Sequence, residues 1–411
     1  MTDRFKDNKA ICAAPWTHLH VQPDGKVYPC CTALEPEVTY GNTHEMTIQQ
    51  AWHSDIAQRF RKNLLEGKKQ PACSVCYNQE KYYQDGGSLR TSLNNRYGEF
   101  ITDNLTPDFH IKYLDVRSSN TCNMACVMCY HGLSSSWYED GLAIDFGVEP
   151  NSPKFIEINN AAEAEILKIV GSDLDIVYFA GGEPLLTPYH YTVLDYLIEQ
   201  DLAKNIRLEY NTNLSVLRYK KRNVFDIWKN FKSVEIRASV DMMGEHAEYQ
   251  RYGTKWDTIV KNWKEVLTYP DIVIRPQITV TSLSIGVLPE FLNFLTTELE
   301  CKIDRSKGIN GITFNLCYGP NRLCVQNLPD SIKKLYTDRL TTFIQHGNDL
   351  ANTMLQPCID FMNEKPATSW YFEHDLLRYM TQLDERRGLN WKKLWPEFIP
   401  HFKKEIMHEQ H

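Results

Sequence analysis

The chain has 411 residues, with 45 Lys+Arg against 52 Asp+Glu, a formal net charge of −7. Hydrophobic residues at 42% and charged residues at 24% are ordinary globular values and rule out disorder as the main state. No apolar run approaches the roughly 18 residues that span a bilayer, so no membrane partner is expected. The mild acidity argues against a broad nucleic-acid surface. The start, Met1-Thr-Asp-Arg-Phe-Lys-Asp7, lacks the apolar stretch of a secretory signal, so a cytoplasmic protein is expected. A soft prior of about 150 residues per domain gives two or three domains.

Residues 1–104 are loop-rich. Pro23-Asp-Gly25 separates two short alternating segments, Thr17–Pro23 and Lys26–Pro29, which predict a small hairpin. Ile48, Trp52, Ile56, Phe60 and Leu64 recur every fourth residue and predict a helix over Ile48–Leu65. Asp85–Asn104, with Gly86-Gly87 and several Asn, reads as a linker. Residues 105–328 alternate β-rich runs with amphipathic helical stretches. The predicted strands are Ile111–Val116, Ile176–Ala180, Ile206–Tyr210, Val234–Val240, Ile272–Val280 and Ile312–Leu316. Helical stripes lie between them, such as Trp256, Ile259, Val260, Trp263 and Leu267, or Leu288, Phe291, Leu292 and Leu295. Six such units predict an α/β fold, a partial (β/α)6 barrel with ligands at the C-terminal strand ends. Residues 329–411 read as a helical C-terminal region. Its aromatics, Trp370-Tyr-Phe-Glu-His374, Trp391 and Trp395, are expected to pack outside the barrel rather than over its mouth.

Twelve Cys is the unusual feature of the composition. Without a secretory signal they are not expected to form a disulfide scaffold. Seven fall in two patterned groups: Cys12, Cys30, Cys73 and Cys76, then Cys122, Cys126 and Cys129. Cys31 adjoins the first group, while Cys301, Cys317, Cys324 and Cys358 are scattered. Cys122-Asn-Met-Ala-Cys126-Val-Met-Cys129 follows the first predicted barrel strand. Three thiolates in so short a loop can wrap one metal centre, and thiolates select iron–sulfur clusters, zinc or copper(I). Three ligands leave one iron of a cubane open. On spacing alone, a zinc ion with a distant fourth ligand is the alternative.

This Cys-x3-Cys-x2-Cys spacing resembles the signature of the radical S-adenosylmethionine (SAM) enzymes. Asp175-Ile-Val-Tyr-Phe-Ala-Gly181-Gly182-Glu183-Pro184 resembles the family's Gly-Gly-Glu motif at the second strand end, which contacts the cosubstrate's methionine amino group. Two Gly allow close backbone approach, and an acid suits an ammonium. Glu209-Tyr-Asn-Thr-Asn213 resembles the ribose-side Thr-Asn-Gly segment, with Leu214 in place of Gly. Arg237-Ala-Ser239-Val-Asp241 resembles the Ser-x-Asp segment, with His246, Glu248, Arg251 and Gly253 following loosely. The resemblance implies that Ser239 and Arg251 bind the cosubstrate carboxylate. Many relatives place an aromatic before the last cluster Cys, against the adenine; here Met128 stands there, and a thioether can also pack on a purine. Singly, each match has a plainer explanation, Asn213 as a helix cap and Arg251 as a surface charge. Together they stand in order at successive strand ends, across about residues 111–320.

The N-terminal group, Cys12-x12-Gly25-x4-Cys30 and then Cys73-Ser-Val-Cys76, resembles the twitch half of the SPASM auxiliary-cluster extension. Tyr40-Gly-Asn-Thr, Ile48–Trp52 and Phe60-Arg61 resemble the same module. In most relatives it follows the barrel; here it precedes it, so the stretch from Cys76 to Ile111 has to carry it to one face. Four thiolates can close a cluster completely, which suits electron transfer. A structural zinc on the same thiolates is the alternative, and Cys31 is an alternative to Cys30. His18, His20, His44 and His131 lie nearby and are left outside the cluster shells.

The resemblance implies two 4Fe–4S clusters, one catalytic and one auxiliary, with SAM as cosubstrate. It implies reductive cleavage of SAM to methionine and a 5′-deoxyadenosyl radical, which takes hydrogen from a C–H bond of a small (sugar-like) molecule or a peptide. The auxiliary cluster would then accept an electron, giving an oxidation or a bond formation, and a flavodoxin- or ferredoxin-type donor would supply the reducing electron. Two alternatives stand beside this. One is a redox-neutral epimerase with Cys317, at the end of the sixth strand, as hydrogen donor, although a buried small hydrophobe is the commoner role of such a Cys. The other is a non-catalytic zinc-binding interaction protein.

Overall fold

All six β-rich runs form strands, and the reason lies in their alternation. In the strand Ile272–Val280, Pro276, Ile278 and Val280 are buried under the outer helices, whereas Arg275, Gln277 and Thr279 face the inside of the barrel half-buried. The computed structural model describes residues 5, 7–83, 87–144, 146–171, 173–301, 312–346, 349–365 and 370–402. In chain order its strands are β1 His18–Val21, β2 Lys26–Tyr28, β3 Gly41–Asn42, β4 Tyr113–Val116, β5 Ala125–Cys126, β6 Ile176–Phe179 and β7 Arg207–Thr212. They continue with β8 Arg218–Tyr219, β9 Arg222–Asn223, β10 Ser233–Ser239, β11 Arg251–Tyr252, β12 Ile272–Val280 and β13 Thr313–Leu316.

Nine strands share one sheet, in the order β13-β12-β10-β7-β6-β4-β1-β2-β3. From β4 to β13 every pairing is parallel and follows chain order, the half-barrel expected from six βα units. The helix Trp256–Leu267 buries Trp256, Ile259, Trp263 and Val266 against the sheet. The helix Leu288–Thr297 does the same with Leu288, Phe291, Leu292 and Leu295. Both follow the predicted stripes.

The N-terminal hairpin forms as predicted, but it is part of the barrel sheet. β1 pairs in parallel with β4, setting His18 beside Tyr113 and His20 beside Asp115, and β2 folds back antiparallel on β1. At the opposite edge, Gln79 on the helix Ser74–Tyr82 donates from Nε2 to the Phe314 carbonyl of β13 at 2.9 Å. The N-terminal segment therefore touches both edges of the open sheet. Tyr82 next packs edge-on against Phe361 of the helix Asp349–Asn363, with ring centroids 5.4 Å apart.

Two local expectations need correction. Ile48–Leu65 is two helices, Ile48–Trp52 and Asp55–Leu65, because Ser54 acts as an N-cap and accepts from the Ala57 N–H at 3.3 Å. The presumed linker contains the helix Leu89–Tyr97, opened by a Ser88–Thr91 capping box and burying Leu93, Asn94 and Tyr97. Residues 85 and 86 of that linker, including Gly86, and residues 403–411 of the C-terminal region lie outside the described residues. Arg61 ties this region together. It is fully buried and donates to the carbonyls of Pro15, Trp52 and Leu105, with its guanidinium 4.6 Å from the Trp52 ring centroid.

The C-terminal region is helical, and Trp391 and Trp395 are buried as expected. It also reaches the first cysteine loop: the Tyr379 hydroxyl donates to the Val127 carbonyl at 3.1 Å, and Tyr379 stacks on Trp137. All twelve Cys are free thiols. Among the described residues no helix is long and apolar enough to cross a membrane.

Candidate functional site

The loop after β4 folds back on itself and is held by remote segments. Trp137 donates from Nε1 to the Cys126 carbonyl at 2.9 Å, the Ser134 hydroxyl to the Met124 carbonyl at 2.6 Å, and the Ser136 hydroxyl to the Cys122 carbonyl at 2.7 Å. β5, which contains Cys126, pairs antiparallel with β11, so Arg251 lies directly beside Cys126. The Arg251 Nη1 is 3.9 Å from the Cys126 sulfur. Asn213 sits at the same distance from Cys122, with Nδ2 to Sγ at 3.9 Å.

Above the strand ends lies a cleft with about 810 Å³ of open space. Its lining includes Cys122, Cys126, Met128 and Cys129 from the loop, Gly181 and Gly182 after β6, and Asn213, Ser239 and Arg251. Residues from four separate strand ends thus converge on one space. Gly182 is required by close approach, since a Cβ there would lie 2.2 Å from the Thr121 carbonyl oxygen, next to Cys122. Arg251 is oriented by Asp241, which accepts from its Nε at 2.7 Å. Asp241 in turn accepts from the Thr279 N–H at 2.7 Å and from Gln250 at 2.9 Å. Leu214, at the position of the family's Gly, takes the left-handed backbone that a Gly would favour, with φ +58, and its side chain is fully buried.

Glu183 and Cys317 depart from their expected places. Glu183 is buried, and its carboxylate turns into the protein. It accepts from the Thr212 hydroxyl at 2.7 Å and from the N–H groups of Asn213 and Leu185 at 2.7 and 3.2 Å. Burial pushes its carboxyl up to about 7 against those three donors. It holds the Asn213 backbone in place and does not line the cleft. Cys317 follows β13 as expected, but it is buried outside the cleft lining, and its S–H donates to the Gly319 carbonyl at 3.2 Å. A turn after the strand end has absorbed the thiol.

The four N-terminal thiols come together from three elements. Cys12 precedes the short helix Ala14–Thr17, Cys30 follows β2, and Cys73 and Cys76 open the helix Ser74–Tyr82. The Thr32 hydroxyl links two of them, 3.3 Å from the Cys30 sulfur and 3.8 Å from that of Cys76. Burial raises the Cys12 thiol, and nearby Cys76 and Cys73 add to the rise. Burial raises the Cys31 thiol, with Asp115 and Arg117 of the barrel and Cys76 of the N-terminal group as its neighbouring charges. Gly25 of the motif has φ +82, and a Cβ there would lie 2.6 Å from the Thr43 hydroxyl. Among the described residues, no three His, Cys, Asp or Glu side chains close around one point as a single ion needs.

The sequence did not single out Arg117, Asn211 and Ser134, which also line the cleft. Strand parity from Ser239 back to Arg237, and from Asn213 back to Asn211, was the available signal.

Comparison with known families matches residues 12–77 to SPASM, an iron–sulfur cluster-binding domain, and residues 116–275 to the Radical SAM superfamily. A search of curated proteins finds no match. Among solved structures, native anSMEcpe with bound AdoMet aligns at 14% identity over 57% of this chain and 62% of that one, with a TM-score of 0.35. The same protein with AdoMet and Cp18Cys peptide aligns at 14% identity over 62% of each chain, TM-score 0.37. Streptococcus suis SuiB bound to S-adenosylmethionine aligns at 13% identity over 80% of this chain and 69% of that one, TM-score 0.35. The match thus spans about 62% of the anSMEcpe chain. Domains of the two matched kinds bind a 4Fe–4S cluster with SAM and additional iron–sulfur clusters, respectively. The chain thus carries a Radical SAM domain and, ahead of it, a SPASM-type iron–sulfur domain.

Proposed function

We propose that this protein is a radical SAM enzyme in which Cys122, Cys126 and Cys129 hold the catalytic 4Fe–4S cluster. The observation that carries this is the convergence of three thiols with the Gly181-Gly182, Asn213, Ser239 and Arg251 strand ends on one cleft. The donor set fits the group. Burial pushes the Cys122 thiol up to about 12, with Cys126 and Glu183 adding to the rise. Thiols so placed lose their protons readily only when positive charge enters, as bound iron provides. When bound and reduced, the cluster supplies the electron that cleaves SAM to methionine and a 5′-deoxyadenosyl radical.

The chain's own residues place the cosubstrate. The Gly181-Gly182 backbone lets the methionine amino group approach, with Glu183 acting at one remove by fixing Asn213. Arg251, oriented by Asp241, pairs with the carboxylate together with Ser239. Asn213 takes the ribose side, and the Met128 thioether packs on the adenine. Loop and barrel exclude competing hydrogen donors and keep a substrate C–H bond near the cleft.

Cys12, Cys30, Cys73 and Cys76 are assigned to the auxiliary 4Fe–4S cluster. Four thiols can close a cubane cage, and the match of residues 12–77 to an iron–sulfur cluster-binding domain favours it over one tetrahedral zinc. A cluster held by these four thiols would supply an acceptor for one electron from the substrate, which suits an oxidation or bond formation on a small molecule or peptide. A flavodoxin- or ferredoxin-type protein serves as electron donor. The test is anaerobic reconstitution followed by iron, sulfide and 5′-deoxyadenosine assays. About eight irons per chain are expected, four for each of two cubanes, with 5′-deoxyadenosine formed on reduction. Colourless protein holding zinc, or no cleavage by fully loaded protein, would overturn the proposal.

A further inference from the structure

We propose that Arg90 is a positioning residue of the N-terminal cysteine group: it ties the Cys12 segment to the Cys73–Cys76 helix, and its charge makes the cluster held there a better electron acceptor. The inference rests on the assignment of Cys12, Cys30, Cys73 and Cys76 to the auxiliary cluster. It deepens that reading by naming a residue outside the cysteine motif.

In the sequence Arg90 lies in a stretch that reads as a linker. In the structure this stretch forms the helix Leu89–Tyr97, and the helix lies against Cys12. Arg90 and Asn94 are four residues apart and so share one face of it. The Arg90 Nη1 donates to the Ile11 carbonyl at 2.9 Å, and the Asn94 Nδ2 donates to the same carbonyl at 3.0 Å. Asn94 Oδ1 accepts from the Ala13 N–H at 2.8 Å. Both chain neighbours of Cys12 are therefore bonded to this helix.

The rest of the guanidinium turns toward the helix Ser74–Tyr82, which Cys73 and Cys76 open. Its Nε donates to Glu80 Oε1 at 2.9 Å, and its Nη2 pairs with Glu80 Oε2. Glu80 stands one turn after Cys76, on the same helix face. The guanidinium carbon is also 5.6 Å from the ring centroid of Tyr77, the residue after Cys76. The Tyr77 hydroxyl donates in turn to the Ala10 carbonyl at 3.3 Å. One side chain thus bridges two segments that lie far apart in the chain, and each segment carries cysteines of the group.

The bridge carries charge as well as geometry. The Arg90 side chain is 12% exposed and that of Glu80 21%, so water screens neither of them fully. Burial raises the thiols of Cys12, Cys73 and Cys76, and the Arg90 guanidinium opposes the rise at all three. At Cys76 the Glu80 carboxylate acts in the opposite sense. The cation therefore bears on the thiols of both segments. Reduction adds one negative charge to a cluster, and nearby charge is among the factors that set its potential. A guanidinium at this position favours the added electron, and it stays charged at any working pH.

The test uses the full-length chain, reconstituted anaerobically, carrying Cys122→Ala, Cys126→Ala and Cys129→Ala so that only the auxiliary cluster remains. Iron content and a redox titration followed by electron paramagnetic resonance give the loading and the midpoint potential. Arg90→Gln is expected to lower the potential, holding the added electron about tenfold less tightly, which is about 59 mV for a one-electron couple. Arg90→Lys, which keeps the charge, is expected to restore most of that loss. Glu80→Gln is expected to shift the potential upward, whereas simple loosening of the bridge would move both glutamine variants the same way. Should Arg90→Gln fail to fold or to load, Glu80→Gln decides alone: a rise supports the proposal, and no change or a fall overturns it. A potential unmoved in loaded Arg90→Gln, or shifts of the same sign in both glutamine variants, also overturns it. A parent protein that holds no cluster sinks the assignment of the four thiols and this inference with it. A parent holding about four irons, one cubane, with a potential indifferent to Arg90→Gln sinks this inference alone.

Discussion

Cys122, Cys126 and Cys129 lie within eight residues of chain, whereas Cys12, Cys30, Cys73 and Cys76 are drawn from sixty-five. The compact group sits in a loop with little regular structure of its own, so its shape comes from outside. Ser134, Trp137, Gln250 and Tyr379 all bond its backbone. Its reward is openness: Cys122 and Cys129 are half-buried at the edge of a cleft. The dispersed group is more enclosed, although Cys73 is half-buried like Cys122 and Cys129, and Cys126 of the compact group is buried. Cys12, Cys30 and Cys76 are buried, and each stands at the end of an element that the core already fixes. An open set suits binding and exchange of a cosubstrate, and an enclosed one suits moving electrons alone.

The sharpest way to break this comparison is to remove the open set. Replacing Cys122, Cys126 and Cys129 by Ala is expected to abolish 5′-deoxyadenosine formation and to remove about half of the iron, one of two cubanes. Cleavage surviving in the triple variant would end the catalytic assignment. Replacing Cys73 and Cys76 by Ala probes the enclosed set. It too is expected to lose about half of the iron, yet to keep reductive cleavage of SAM. Iron analysis alongside chromatographic detection of 5′-deoxyadenosine separates the two outcomes.

Arg251→Gln tests the edge where the open set meets the cosubstrate. Loss of a charge-assisted bond of about 1.5–3 kcal/mol should weaken SAM binding roughly ten- to a hundredfold, measured by equilibrium dialysis on reconstituted protein. Unchanged affinity would move the carboxylate elsewhere. Glu183→Gln should act on stability, because its amide NH2 would face an N–H or O–H donor where a carboxylate oxygen now accepts. The expected cost is about 1–3 kcal/mol in denaturant unfolding. Cys317→Ala is the smallest, with about 1 kcal/mol lost with its weak bond and no change in 5′-deoxyadenosine yield. A large fall in that yield would return Cys317 to the site.

Much of the site was legible because its residues stand at strand ends. Ser239, Asn213 and Gly182 could be placed from strand alternation and motif order alone. Glu183 shows the limit. As a carboxylate before a helical turn, nothing in its neighbours reveals that Thr212 and the Asn213 backbone, some thirty residues on, take both oxygens. Cys317 shows another, since one turn past a strand end changes what a side chain meets.

What the sequence by itself determined were the local features. These are the six barrel strands, the hairpin at Pro23–Gly25, the helical stripes of the barrel, and the two cysteine groups with their spacing. Periodicity and turn chemistry act over a few residues, so a single stretch of chain reveals them. Only the tertiary structure decided that the hairpin joins β4 as a further strand and that Gln79 reaches β13 across the opening. Those facts depend on which residues meet across 95 positions of chain in one case and 235 in the other. Pairing between distant strands carries almost no local signature, because any β-rich edge can accept any other until the whole sheet is assembled.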